Sequence, residues 1–374
     1  MVMAQIWIMT ETIGGNGHQQ AARALAKGLA HAAPDVRVQI RSGLPVFSRS
    51  LESLTRTVYL NTLQYAPSLW GAAYSKEEEF SQAFRDRWAK ILSAKLEGLF
   101  SCEVPEIVVC THALCVGALA RIKKRLSSSF RLGAAITDFD VNGFWVHPDV
   151  DFYLVAHEKV AEKLRYTYKI PADRIFPTGI PIDPDFAKKR PEKRVLREQL
   201  RLNTDAFTVL MMGGGGGMGP MESCIQTFLT QMPDVQLAVV TGKNEGLRQR
   251  LQHRFPDADR LHLFGYVDGI ADLMQAADLL ISKAGGLTTS EALAMGLPLL
   301  ICRPIPGQEE RNSRFLTSQR VALRQDQPIN IPRHIYPLVQ SPERWDGMKE
   351  RARQLGRPRS ALDGAACILK QLNH

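Results

Sequence analysis

Residues 277–294, ADLLISKAGGLTTSEALA, pass from an unbroken apolar segment through a Gly-Gly turn into a helix-forming stretch. That order constrains the fold more than any other feature of the chain. A short apolar run without polar alternation reads as a strand buried on both faces, as in parallel sheets covered by helices. The same order recurs. In the first half, IWIMT leads through ETIGGNGHQQ into AARALAKGLAHAA, EIVVCTH precedes a second helical segment, and LGAAITDF and DFYLVAHE supply further strands. In the second half, FTVLMM, VQLAVV, LHLFG, ADLLIS and LPLLIC repeat the pattern. Such alternation predicts an α/β architecture of two doubly wound, Rossmann-like domains with parallel sheets. Ligands of these sheets bind beyond the strand carboxyl ends, so the expected site is a cleft that both domains face.

A chain of 374 residues is long enough for two such cores. The Pro-rich, charged stretch at 181–194, PIDPDFAKKRPEKR, reads as the linker. We therefore place an N-terminal domain at residues 1–186 and a C-terminal domain at 187–354, with a final helical segment over 355–374 as a candidate to pack back on the first. No apolar run approaches the roughly 20 residues needed to span a bilayer. The start, MVMAQIWIMTETIGG, lacks a basic n-region and cleavage-site pattern and reads as a first strand. The six scattered cysteines form no CxxC pair, which fits reduced thiols in a cytosolic protein.

The formal net charge of +9 gathers in clusters at residues 121–131, 188–201 and 344–359. Most such runs are solvated helix faces. With no RNP, zinc-finger or helix-turn-helix pattern beside it, the charge points to an anionic membrane surface before nucleic acid.

Several loops carry candidate chemistry. Gly213, Gly214, Gly215, Gly216 and Gly217, then Met218, Gly219 and Pro220, follow FTVLMM. Backbone free of side chains there lets a phosphate or sugar approach, against the plainer reading of a flexible turn. Lys283, Gly285, Gly286 and Leu287 lead into Thr288, Thr289, Ser290 and Glu291. A helix start offers N–H groups and positive dipole charge to a diphosphate. Glu291 follows Thr288 by three residues, so TTSE reads equally as a capping box. Gln308, Glu309 and Asn312 lie in a loop opened by Pro304, Pro306 and Gly307 and pair amides with carboxylate, a combination that reads sugar hydroxyls. Lys243 and Asn244 in GKN either flank a nucleotide or form a plain turn.

His18 ends the loop GGNGH after the first strand, and its ordinary pKa suits a general base near neutrality. A loop histidine is more often polar surface. Asp138, after GAAI, is the rival base or an orienting group for His18. The DxD spacing occurs at 138–140, 149–151 and 183–185, so it lacks specificity and assigns no metal. Aromatic residues at 59–74 and 139–146 divide between core and an interfacial surface beside Arg49 and Arg56. Trp70, Phe144 and Trp145 are the membrane candidates, with Gly15 and Asn16 on the acceptor side.

The pieces GGNGHQQAARAL, ITDF, WVHPDVDFYLVA, TGIPIDPDF, MGGGGGMGPM, VTGKN, GYVDGIADLMQAADLLISKAGGLTTSEA and IPGQEERN cover most of the chain in order. Together they resemble the lipid-directed glycosyltransferases related to plant monogalactosyldiacylglycerol synthase and the bacterial processive diacylglycerol glucosyltransferases. More distantly they resemble the peptidoglycan enzyme that adds N-acetylglucosamine to lipid I. The resemblance implies a GT-B fold, a UDP-hexose donor, and diacylglycerol or glycosyldiacylglycerol as acceptor. It also implies inversion at the anomeric carbon with no cofactor or obligatory metal, the helix start stabilising the leaving UDP.

Carried onto this sequence, the resemblance gives Glu291 to the ribose, Thr288 and Thr289 to the diphosphate, Tyr266 and Val267 to the uracil, and Gln308 and Glu309 to the hexose. It implies a cytoplasmic protein bound peripherally to the inner face of the membrane, with anionic lipids as partners and no nucleic acid. GGNGH looks more like the glucosyltransferases and GGGGGMGPM more like the galactolipid synthases, which leaves glucose against galactose open. The alternatives on the same fold are a UDP-N-acetylglucosamine-dependent transferase to another lipid, a UDP-sugar 2-epimerase and a nucleotide-sugar sensor.

Overall fold

The computed structural model describes residues 4–11, 16–42, 77–126 and 130–373. Gly15, Trp70, Arg49, Arg56 and the aromatic segment 59–74 lie outside them. The chain divides into two compact units, Met1–Pro184 with Arg359–His374, and Asp185–Pro358.

The first unit contains β1 (Gln5–Thr10), α1 (Gly17–Ala32), β2 (Arg37–Ser42), α2 (Glu77–Cys102), β3 (Ile107–Cys110), α3 (Ala113–Arg125), β4 (Arg131–Ala135), β5 (Phe152–Leu154), α4 (Glu158–Tyr166) and β6 (Ile175–Phe176). Its sheet runs β2-β1-β3-β4-β5-β6 with every pair parallel. Ile6, Trp7, Ile8 and Met9 are all fully buried although successive side chains point to opposite faces. Burial on both faces is the physical origin of the unbroken apolar run. The edge strand β2, RVQIRS, has no such requirement and is polar and partly exposed.

The second unit contains α5 (Lys193–Gln199), β7 (Phe207–Met212), α6 (Met221–Gln231), β8 (Val235–Val240), α7 (Glu245–Arg254), β9 (Leu261–Phe264), α8 (Ile270–Ala276), β10 (Leu279–Ser282), α9 (Gly286–Ala294), β11 (Leu299–Ile301), α10 (Gln308–Ser318), β12 (Ala322–Arg324), α11 (Ile331–Gln340) and α12 (Pro342–Leu355). Its all-parallel sheet runs β12-β11-β10-β7-β8-β9. Numbered within the unit, that is the 3-2-1-4-5-6 order of a dinucleotide-binding fold.

After α12 the chain returns to the first unit as α13 (Ser360–Lys370). Leu25 and Leu29 of α1 share one core with Ala365 and Ile368 of α13. The helices meet so closely at Gly28 that a Cβ there would fall 2.4 Å from the Ala361 carbonyl oxygen. Ser360 accepts the Ile182 N–H on its hydroxyl at 3.1 Å, tying the returning chain to the end of the first unit.

Residues 181–194 are not the loose linker that their composition suggests. Ile182 and Phe186 are buried, residues Pro184–Ala187 form a 3-10 turn, and Arg190 pairs with both Asp185 and Asp272. Charge here folds onto the second unit. The basic cluster at 188–201 is likewise partly internal. Arg197 is only 4% exposed and, with Lys193, binds the carboxylate of Asp278, which also accepts the Thr208 N–H at 2.7 Å. Among the described residues, no helix is long and apolar enough to cross a membrane.

Candidate functional site

Each sheet reverses its strand order once, in the first unit between β1 and β3 and in the second between β7 and β10. Loops leaving adjacent strands at a reversal part to opposite faces and open a crevice at the strand carboxyl ends. The glycine turn after β7, the 283–291 segment after β10 and His18 after β1 leave from these two points, and the other candidates follow β4, β8, β9 and β11.

In the second unit, the glycines after β7 form an ordered turn and not a flexible one. Gly214–Gly216 make one 3-10 turn, and Met218 donates its N–H to the Gly213 carbonyl at 2.9 Å. Gly217 has φ 61, and a Cβ there would meet the Thr241 carbonyl oxygen at 2.6 Å. The turn is braced from β8: Lys243 donates its N–H to the Gly215 carbonyl at 3.1 Å, and Asn244 donates through Nδ2 to the Gly216 carbonyl at 3.3 Å. Gly215, Gly216, Met218 and Gly219 remain exposed.

Across the reversal, Ser282 donates its hydroxyl to the Met212 carbonyl at 2.9 Å, joining the ends of β10 and β7. Lys283 passes Gly214, its Cε 3.8 Å from where a Cβ would stand, and its ammonium binds Glu309 Oε1 at 2.8 Å. Glu309 Oε2 accepts the Ile305 N–H at 2.8 Å. The glycine turn, the β10 loop and the start of α10 are thus held as one surface.

Helix α9 starts at Gly286 with Gly285 as N-cap and no side-chain cap, and its first intrahelical bond runs from Thr289 N to the Gly285 carbonyl. The amides of Gly286, Leu287 and Thr288 precede that bond, as an anion seat requires. This start also revises the sequence reading. Thr288 is the third helical residue, so Thr288 and Glu291 do not form the capping box. Thr289 is fully buried, and its hydroxyl donates back to the Gly285 and Gly286 carbonyls at 2.8 and 3.1 Å. That removes its hydroxyl from the diphosphate set. Glu291 is partly buried and stays on the same helix as the seat.

Three further candidates change role. Gln308, Glu309 and Asn312 lie on the first turns of α10 and not on a loop. Asn312 is fully buried and donates through Nδ2 to the Ala284 carbonyl at 3.1 Å, bracing the β10 loop instead of facing a hexose. Asn244 caps α7 by accepting the Leu247 N–H at 3.0 Å, so the turn reading of GKN holds for its carbonyl oxygen. Lys243 instead lies 5.6 Å over the ring of Tyr266, which is 55% exposed beside Val267 after β9.

In the first unit, His18 sits on the first turn of α1, after Asn16. It is gripped from β3 twice. Thr111 donates its hydroxyl to the His18 carbonyl at 3.0 Å, and the Thr111 carbonyl lies 3.0 Å from His18 Nδ1. From the end of β4, Thr137 Oγ1 lies 2.8 Å from the same nitrogen. His112, which caps α3 by accepting the Leu114 N–H on Nδ1, stacks edge-on at 4.5 Å. Burial of the ring, only partly offset by the Thr111 carbonyl, lowers the His18 pKa to about 4.

An activity that uses His18 as a base should therefore keep its rate from pH 7 down to about 5, falling only as the ring takes its proton near 4. The kcat/KM profile of the wild-type protein checks this. The same shift carries a sign for stability. The unfolded ring binds a proton near 6.5 and the folded one only near 4, so acidification through that window destabilises the fold.

Asp138 is almost fully buried, but the group observed at His18 is its neighbour Thr137. Thr111 and Thr137 escaped the sequence reading, although Thr111 directly follows β3 and Thr137 stands two residues past β4. The DxD aspartates have other partners: Asp140 pairs with Lys163 and Asp151 with Lys123. Trp145 is 1% exposed and belongs to the core, which withdraws it from the membrane surface; Phe144 beside it is partly buried.

The Monogalactosyldiacylglycerol (MGDG) synthase family matches residues 18–182, and the Glycosyltransferase family 28 C-terminal domain matches residues 208–356. The chain is 31% identical to the processive diacylglycerol beta-glucosyltransferase of Bacillus cereus (strain AH187), over 96% of this chain and 92% of that protein. It superposes on the crystal structure of Acinetobacter baumannii MurG with a TM-score of 0.65 at 15% identity, covering 98% of this chain and 99% of the other. Against the S. aureus MnaA–UDP structure the TM-score is 0.64 at 13% identity, covering 99% and 97%. These likenesses bear on the fold alone, two Rossmann-like domains of GT-B type.

Proposed function

We propose that this chain, which belongs to the family of the monogalactosyldiacylglycerol synthases and processive diacylglycerol glucosyltransferases, moves a hexose from a UDP-sugar to diacylglycerol. The observation that carries this reading is likeness along both units at once. A relative named for diacylglycerol glucosylation matches 96% of the chain and 92% of its own length. Glucose is the donor sugar we assign, because the full-length relatives carry that name.

In this reading the UDP-sugar lies on the second unit. The amides of Gly286, Leu287 and Thr288 meet the diphosphate, Glu291 the ribose, Tyr266 and Val267 the uracil, and Gln308 with Glu309 the hexose. His18 accepts the proton of the diacylglycerol hydroxyl as its oxygen attacks the anomeric carbon. The bond from that carbon to the UDP oxygen breaks, the configuration inverts, and the helix start stabilises the departing diphosphate. No step requires a metal or cofactor.

The protein works as a peripheral enzyme on the cytoplasmic face, drawn to anionic lipid by exposed cations such as Lys188, Arg194 and Arg344. Its binding to vesicles containing anionic lipid should weaken as salt is raised. Incubation with labelled UDP-glucose, UDP-galactose or UDP-N-acetylglucosamine and diacylglycerol liposomes tests the activity. A labelled glycolipid from UDP-glucose is the expected product, and a second sugar on it marks processive transfer. Product from UDP-galactose alone would revise the sugar, and none from any donor overturns the reading.

A further inference from the structure

The Nδ1 atom of His18 has two oxygen neighbours of different kinds. The Thr111 carbonyl at 3.0 Å only accepts, whereas the Thr137 hydroxyl at 2.8 Å either donates or accepts. With hydrogen on Nε2, the bare Nδ1 would set its lone pair against the carbonyl lone pairs. With hydrogen on Nδ1, one N–H is shared between both oxygens in a three-centre bond, and neither contact is repulsive. The pair of contacts therefore selects the Nδ1–H tautomer and leaves the lone pair on Nε2.

We infer that the Thr111 carbonyl fixes His18 in the Nδ1–H tautomer, with Nε2 as its proton-accepting atom, and that Thr137 is a positioning residue that holds the ring in place by accepting a share of that N–H. The inference rests on the base role proposed above for its consequence in catalysis, though not for its geometry. Thr137 is 5% exposed two residues past β4, and Thr111 is fully buried directly after β3. Thr111 also holds the His18 main chain through its hydroxyl, which leaves the ring little freedom to turn away from the two acceptors. Burial keeps the ring neutral at pH 7, so it is the tautomer, and not the charge, that decides which nitrogen receives a proton. A positioned orienter of this kind does not touch substrate. It works by holding the ring in one orientation.

Ring-15N NMR of histidine-labelled protein, with the His18 signals identified by their loss in His18→Gln, reads the tautomer directly. The wild-type protein should show a protonated Nδ1 and an unprotonated Nε2. In Thr137→Val, which keeps the shape and removes the hydroxyl, the Thr111 carbonyl should still hold Nδ1 protonated. In that variant kcat should fall about tenfold, the worth of roughly one hydrogen bond, with KM for the donor unchanged. Thr137→Ser should restore the parental kcat. A wild-type ring protonated on Nε2 would overturn the inference without any variant. A Thr137→Val protein with the parental kcat would overturn the positioning role of Thr137. The NMR result stands even if no glycolipid forms from any donor, so failure of the proposed activity and failure of this inference remain separable.

Discussion

The His18→Ala variant should fold like the parent and lose about 10²- to 10⁴-fold in kcat, the range a positioned general base supplies. The loss should fall on kcat and leave KM for the UDP-sugar near its original value. The proposed donor contacts belong to residues of the second unit, whereas His18 belongs to the first. Removing a group that acts only as the bond forms lowers kcat and kcat/KM alike. Steady-state kinetics with UDP-glucose and diacylglycerol vesicles measure this, alongside a thermal melt to show that the variant is folded. A variant that kept the parental rate would strip His18 of the base role and pass it to Asp138, for which Asp138→Asn is the matching test.

Replacing Asp278 by alanine is expected to cost about 3–5 kcal/mol of stability, the range for breaking a buried ion pair from one side. Asp278 is 7% exposed at the start of β10 and joins three elements: Arg197 and Lys193 of α5, and the Thr208 N–H of β7. Without the carboxylate, the guanidinium of Arg197 stays buried with its charge uncompensated. Lys193 is better exposed and can turn toward water. The cost should therefore shrink when both charges go together. The double variant Asp278→Leu with Arg197→Met should melt closer to the parent than Asp278→Ala does. Denaturant unfolding of the three proteins decides it. Equal midpoints for Asp278→Ala and the parent would show that the cluster holds nothing.

Apart from β9, a partly buried edge strand, the strands read from the sequence are the ones buried on both faces, because burial on both faces gives an unbroken apolar signature. β2 was missed because an edge position lets RVQIRS stay polar, and β6 and β12, of two and three residues, are too short to show a period. Two helices start elsewhere than their sequence pattern indicates, for a shared reason. Glycine beside each start has the signature of a loop, although Gly285 serves as the N-cap of α9 and Gly307, with φ 99, as that of α10. The acidic pair Glu309 and Glu310 in the first turn of α10 was a legible sign of a helix start, since it complements the dipole.

What the sequence determined by itself was the set of loops that carry chemistry. Glycine after an apolar strand, and histidine after another, are local patterns that sterics and burial impose on neighbours in the chain. Tertiary structure alone decided which of those loops share a crevice, since that depends on where β1 meets β3 and β7 meets β10. It also decided which polar groups remain available there. The Thr289 hydroxyl, the Asn312 amide and the Asn244 carbonyl oxygen look like ligands in one dimension, yet each is committed to a backbone partner. Thr137 looks like nothing in one dimension and meets His18 across 119 residues of chain. A hydrogen bond is a local contact in space that leaves no periodic trace in sequence, which is why the site's loops were legible and its connections were not.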